Sequence, residues 1–143
     1  MIRIGLDFDG VICDVETWAE ENGIPPDDIT ESLLADAEVE SIPPIDGAFD
    51  VLDSGKVVAI ITHRKDLDPV REWLYFWYGD RYPKVVFPQH SKGFECFKRD
   101  IEVFVDDDPS VIKEVDRWDV VGLLYDTRKD GNLYNFLVRK GVL

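Results

Sequence analysis

Asp7 and Asp9 are the residues of this chain whose type and spacing most directly invite chemistry; they lie in Leu6–Asp14, which reads L-D-F-D-G-V-I-C-D. Side chains two residues apart on an extended backbone point the same way, so the two carboxylates would meet. Such a pair is hard to keep ionised unless a cation or a shared proton relieves the repulsion. A hard, oxygen-seeking ion such as Mg2+ is the natural partner. Gly10 then lets the chain turn sharply without a steric penalty. Three further polar groups follow: Thr62-His63-Arg64, the loop from Gln89 through His90 to Lys92, and Asp106-Asp107-Asp108. Taken singly, each has a plain explanation as a strand-terminal turn, a solvated lysine, or an acidic helix start.

The elements that must position these groups alternate in type. Strand-like runs occur at Ile2–Phe8, Lys56–Thr62, Lys84–Phe87, Ile101–Val105 and Val120–Tyr125. Helical spacing appears over Asp66–Tyr78, with Leu67, Val70, Leu74 and Trp77 three or four apart. It recurs over Ser91–Arg99, Pro109–Trp118 and Leu133–Lys140, with Asp108 placed to cap the third of these four segments. Alternating strands and helices imply parallel strands joined by right-handed crossovers, hence an α/β fold with three layers. The unbroken apolar run Val57–Ile61 agrees, because central parallel strands are buried on both faces. Each polar group then sits at the carboxyl end of a strand, where open α/β sheets build their sites.

One stretch interrupts the rhythm. Val11 to Gly55 is far longer than a simple crossover needs. It holds a helix over Val15–Asn22, a Pro25-Pro26 break, an acidic helix capped by Thr30 or Asp27, and Pro43-Pro44 before a crossover helix at Asp46–Asp53. Residues 14–45 read as a small helical cap inserted after the first strand of a single domain spanning 1–143. Trp18 in this cap could stack on a nucleobase or pack the cap onto the core.

Composition narrows the function classes. The chain has 143 residues, 45% of them hydrophobic, and a net charge of −14 from thirty acids and sixteen bases. That field disfavours nucleic acid polymers and anionic membranes as partners. It suits equally a protein that concentrates a divalent cation and one kept soluble, in a salty habitat or otherwise, by its charge. No apolar run approaches membrane-spanning length, and the N-terminal residues lack a signal-peptide profile, so a cytoplasmic location is expected. Two cysteines are too few for a disulfide framework. The aromatic run Trp73–Tyr78 leaves room for a homodimer contact, and the oligomeric state stays open.

Asp7-Phe8-Asp9-Gly10-Val11, Ile60-Ile61-Thr62, Lys92 and Phe104-Val105-Asp106-Asp107-Asp108 together resemble the motifs of the haloacid dehalogenase superfamily of phosphatases. The start through Asp14 and the D-D-D-P form at Asp106–Pro109 look most like its 5'(3')-deoxyribonucleotidase-like subgroup. The resemblance implies a Rossmannoid core and Mg2+-dependent hydrolysis of a small phosphomonoester, with a nucleoside monophosphate as the substrate class of that subgroup. Asp7 would be the nucleophile that becomes an aspartyl-phosphate, and Asp9 the general acid and base. Thr62 and Lys92 would hold the phosphoryl group, with Gly10 and His63 beside it. Asp7, the Asp9 carbonyl, Asp107 and Asp106 would serve the metal, leaving Asp108 as a helix cap. Many members of the family carry G-D-x-x-x-D in the last motif, and this chain departs from it. Such residues suit phosphoryl transfer, in which positive groups must offset like charges. Two rivals remain: a catalytically silent relative that binds phosphate or partners, and a receiver-like phospho-acceptor. The latter takes phosphate after its third strand, where this chain has Pro88.

Overall fold

The computed structural model describes residues 1–143 throughout. Five parallel strands form one sheet: β1 (Ile4–Leu6), β2 (Val57–Ile61), β3 (Lys84–Val86), β4 (Val103–Asp106) and β5 (Val121–Leu124). Their order is β3-β2-β1-β4-β5. The chain runs outward from β1 in one direction and then returns to lay β4 on its other side. β1 and β4 therefore flank the point where strand order reverses, which in open α/β sheets opens a crevice at the carboxyl ends. Leu6 lies opposite Val105 in that pair, so Asp7 and Asp106 leave neighbouring strands at the same level.

Helices cover both faces: α3 (Ala48–Asp53), α4 (Asp68–Trp77), α5 (Lys92–Lys98), α6 (Pro109–Val115), α7 (Thr127–Asp130) and α8 (Leu133–Arg139). The segment after β1 adds α1 (Val15–Glu21) and α2 (Glu31–Asp36), with 3-10 turns at Pro26–Asp28 and Val39–Ser41. No helix is long and apolar enough to cross a membrane.

The sheet separates two apolar clusters. The larger gathers Ile4, Leu6, Phe8, Trp73 and Leu74 with α3, α8 and the inserted segment. The smaller packs Ala59, Ile61, Phe104 and Cys96 under α5 and α6. Trp18 is buried in the larger cluster, so it packs α1 onto the core and presents no face for a base. Two indoles of α4 hold the returning arm of the insertion: Trp73 Nε1–H donates to the Ile42 carbonyl (2.8 Å) and Trp77 Nε1–H to that of Val39 (2.9 Å). On the same helix Tyr75 and Phe76 are exposed.

Caps follow the sequence closely. The Thr30 hydroxyl accepts from the Leu33 N–H (3.2 Å), that of Ser91 from the Phe94 N–H (3.0 Å), and the Asp108 carboxylate from the Ser110 N–H (2.9 Å). Boundaries differ where tertiary pairing decides them. β1 spans Ile4–Leu6 rather than Ile2–Phe8, because the backbone leaves the sheet at Phe8, whose carbonyl accepts the Ile12 and Cys13 N–H groups (2.9 and 3.0 Å). The helix expected over Pro109–Trp118 ends at Val115 and tightens into a 3-10 turn, Asp116–Trp118. The four-residue α7 had no counterpart in the periodicity.

Candidate active site

The bend at Phe8 governs the first motif. Because the strand ends before Asp9, the period of two no longer holds, and the two carboxylates diverge. Asp7 Oδ1 accepts from Lys92 Nζ at 2.9 Å. Asp9 turns to Arg64 instead, whose Nε and Nη2 donate to its two oxygens at 2.8 and 2.6 Å. The simple picture of two adjacent acids sharing one cation is thereby corrected. The group that gathers is Asp7 with Asp106 and Asp107, whose carboxylate oxygens lie within 4.8 Å of one another.

Lys92 stands at the centre of this arrangement. It enters from the first turn of α5 and donates to Asp106 Oδ2 (2.8 Å) as well as to Asp7. All three side chains are buried, with relative exposures of 4% for Lys92, 7% for Asp7 and 1% for Asp106. Burial opposes the Lys92 ammonium, but the Asp7 and Asp106 charges outweigh it and raise its pKa. Burial likewise lifts the Asp7 carboxyl well above the ordinary range; Lys92 offsets part of that, while Asp106 and Asp107 add to it. Asp107 keeps solvent contact, yet withdrawal into the cleft and the Asp106 charge beside it push its pKa up to about 7. Asp106 Oδ1 also accepts the Asp108 N–H (3.0 Å), which ties the end of β4 to the start of α6.

Three acids crowded beyond what one lysine can neutralise make a hard-oxygen donor set. That chemistry fits a divalent cation of the Mg2+ type, which binds through a few carboxylates and retains water. Gly10 is shaped by this group. Its φ is +83°, and a Cβ there would lie 2.6 Å from Asp107 Cγ. Glycine thus allows the backbone to pass against the Asp107 side chain.

The cleft around the cluster has a volume of about 330 Å3. Asp7, Asp9, Thr62, His63, Lys92, Asp106 and Asp107 all line it, and so does Asp108. Thr62 is 1% exposed, and its hydroxyl accepts the Arg64 N–H (3.2 Å). His63 faces the opening; partial burial and the Lys92 charge lower its pKa. The insertion contributes Val15, Ile29, Thr30, Glu31 and Leu34, so its helices do roof the site. Glu31 fastens that roof: its oxygens accept the Lys65 N–H (2.9 and 3.0 Å) and the Asp66 N–H (3.1 Å).

Arg64 is the residue that sequence reasoning undervalued, since the two residues after Thr62 read more simply as a surface turn. It is 7% exposed, and its guanidinium lies 5.2 Å from the centre of the Phe8 ring while gripping Asp9. The available signal was an arginine three residues after an apolar strand, in a chain rich in acids.

No family model matches the sequence, and no curated protein matches it. Among solved structures, a haloacid dehalogenase-like family hydrolase from Streptococcus pneumoniae superposes with a TM-score of 0.58 at 12% identity, covering 95% of this chain and 90% of that one. The likeness is one of fold, and it extends over nearly the whole of both chains.

Proposed function

We propose that this protein is a phosphomonoester hydrolase that works through an aspartyl-phosphate on Asp7, with a divalent cation of the Mg2+ type at Asp7, Asp106 and Asp107. The observation that carries this reading is Lys92 Nζ held between Asp7 and Asp106 at the strand-order reversal. An ammonium has three N–H donors, and two are committed here, so one is left for a phosphoryl oxygen.

In the first step an Asp7 oxygen attacks phosphorus, the P–O ester bond breaks, and the leaving oxygen takes a proton from Asp9. In the second, water gives its proton to Asp9 and attacks phosphorus, the P–O bond to Asp7 breaks, and orthophosphate leaves. Each Asp9 oxygen accepts one N–H from Arg64 and keeps a second lone pair with which to handle a proton. Thr62 borders the place proposed for the phosphoryl group and His63 stands at its entrance, whereas Gly10 lies outside the cleft lining, against Asp107. When bound, the cation offsets the charge of the attacking carboxylate and of the phosphoryl oxygens. The Asp9 carbonyl is the proposed further oxygen ligand.

The leaving group must be small or protrude from the cleft. Nucleoside monophosphates, the substrate class of the subgroup the motifs resemble, stay within the proposal. A base entering here would meet aliphatic Ile29, Leu34 and Val111, since no Phe, Tyr or Trp lines the cleft. The test is hydrolysis of an aryl phosphate with and without Mg2+, for wild type and Asp7→Asn, followed by a nucleotide panel. Metal-dependent turnover that disappears in Asp7→Asn is the expected result. A variant that keeps the wild-type rate would overturn the covalent assignment. Wild type that binds Mg2+ and beryllofluoride but hydrolyses nothing would support a silent relative.

A further inference from the structure

Lys92 owes its place to more than its two acidic neighbours. It is flanked by Ser91 and Gly93, and one carboxylate from another helix grips both. Glu114, on α6, accepts the Gly93 N–H at Oε1 (2.8 Å) and the Ser91 hydroxyl at Oε2 (3.0 Å). The same Oε2 accepts Trp118 Nε1–H (2.6 Å), which fixes the carboxylate from behind. The first N–H groups of a helix have no partner within it. Here the Phe94 N–H goes to the Ser91 hydroxyl and the Gly93 N–H to Glu114. A local cap would have been met by Ser91 alone; the bond from Glu114 adds a tie between two elements.

The residue type at position 93 points the same way. Glycine inside a helix costs about 1 kcal/mol relative to alanine, and Gly93 does not have a positive φ that would require it. A Cβ at Gly93 would lie 2.5 Å from Glu114 Oε2 and would meet the Trp118 ring still closer. The space a side chain would need is filled by the carboxylate and its indole support. A closed circuit results: Asp106 ends β4, Asp108 caps α6, Glu114 reaches from α6 to the first turn of α5, and Lys92 returns to Asp106.

We propose that Glu114 is a positioning residue for Lys92, setting the first turn of α5 so that the ammonium meets Asp7 and Asp106 together. In assigning Glu114 a part in turnover, this rests on the phosphatase reading; in assigning it the placement of Lys92, it does not. Reactions of this kind lose about 100-fold for misplacement by 1 Å, so Glu114→Ala should lower kcat by ten- to a hundredfold with KM changed less than threefold.

The experiment pairs steady-state kinetics with NMR of the Lys92 ammonium in 15N-lysine-labelled protein, in Glu114→Ala, Glu114→Gln and Gly93→Ala, with exposed Lys113→Gln as the control. Burial and two ion pairs should make the wild-type ammonium resonance observable. It should broaden or vanish in Glu114→Ala and in Gly93→Ala, whose added Cβ displaces the carboxylate while improving helix propensity. Glu114→Gln can accept the Gly93 N–H but not all three donors, so it should recover part of the rate and of the signal; it carries the test should either of the others not fold. Lys113→Gln should match wild type. Wild-type kcat and an unchanged Lys92 resonance in the folded variants would overturn the proposal. Should the protein hydrolyse no phosphate, the resonance alone decides: its loss in the variants keeps Glu114 as the positioner while the phosphatase reading falls, and its persistence removes both.

Discussion

Replacing Lys92 with methionine removes one charge and little volume, because both side chains are unbranched and methionine adapts to irregular space. The ammonium now donates to Asp7 at 2.9 Å and to Asp106 at 2.8 Å, and all three groups are withdrawn from water. Taking one partner from a buried ion pair costs about 3–5 kcal/mol, because the remaining charge is left uncompensated. For a chain of this length that corresponds to a fall in Tm of roughly 10–20 °C. The pH dependence has a definite sign. Asp7 already titrates well above the ordinary carboxylate value, through burial that Lys92 partly offsets; without Lys92 it moves higher. A carboxyl raised in the folded state burdens folding at pH values above its folded pKa, and the burden lifts as pH falls toward the unfolded value. Lys92 is raised as well, so the ammonium stays charged across neutral and acid pH, and what changes with pH is the ionisation of its carboxylate partners. The gap in Tm between wild type and Lys92→Met should therefore be widest near pH 8 and narrow steadily toward pH 5. Added Mg2+ should stabilise the variant more than wild type, as the one remaining counter-charge. Thermal melts by circular dichroism, in chelator and in millimolar Mg2+, measure all of this. A gap below 2 °C at pH 8, or one that widens on acidification, would refute the account of Lys92 as the charge that permits this cluster.

Gly10→Ala forces a left-handed φ on a residue with a side chain, at about 1–2 kcal/mol, and drives its Cβ into Asp107; Tm should fall by roughly 3–8 °C and Mg2+ affinity at least tenfold by calorimetry, whereas unchanged metal binding would show that Asp107 is not a ligand. Glu31→Ala removes the acceptor of the Lys65 and Asp66 amides, so their hydrogen exchange should accelerate about tenfold, as expected for roughly 1.4 kcal/mol. Those amides hold the Glu31 carboxyl below its ordinary value. The fastening should accordingly persist above the ordinary carboxylate range and weaken as pH drops through the lowered value, which exchange rates near pH 4 can check.

The architecture was legible because it follows from local periodicity. Apolar runs such as Val57–Ile61 could only be central strands, and the spacing of Leu67, Val70, Leu74 and Trp77 could only be a helix. Thr30 and Asp108 announced their caps, as residues whose side chains serve backbone donors two or three positions on. The order of polar groups at strand ends was equally visible. Trp18 was not, since an aromatic on an amphipathic helix reads alike whether it faces a ligand or the core; its burial depends on how α1 is laid over the sheet. The divergence of Asp7 and Asp9 was hidden for a related reason. It requires knowing that the extended backbone stops before Asp9, and hydrogen bonds to the Phe8 carbonyl set that limit.

What the sequence by itself determined is therefore the inventory and its order: parallel strands, the inserted helices, and Asp7, Thr62, Lys92 and Asp106 each delivered to the same rim. Only the tertiary structure decided who pairs with whom. Arg64 reaches Asp9 across 55 positions, Lys92 reaches Asp7 across 85, and Glu114 reaches Gly93 across 21. No local pattern encodes such pairings. They arise because β1 takes β2 on one side and β4 on the other while α5 packs against α6, so groups distant along the chain are brought to one rim and each charge finds its partner there.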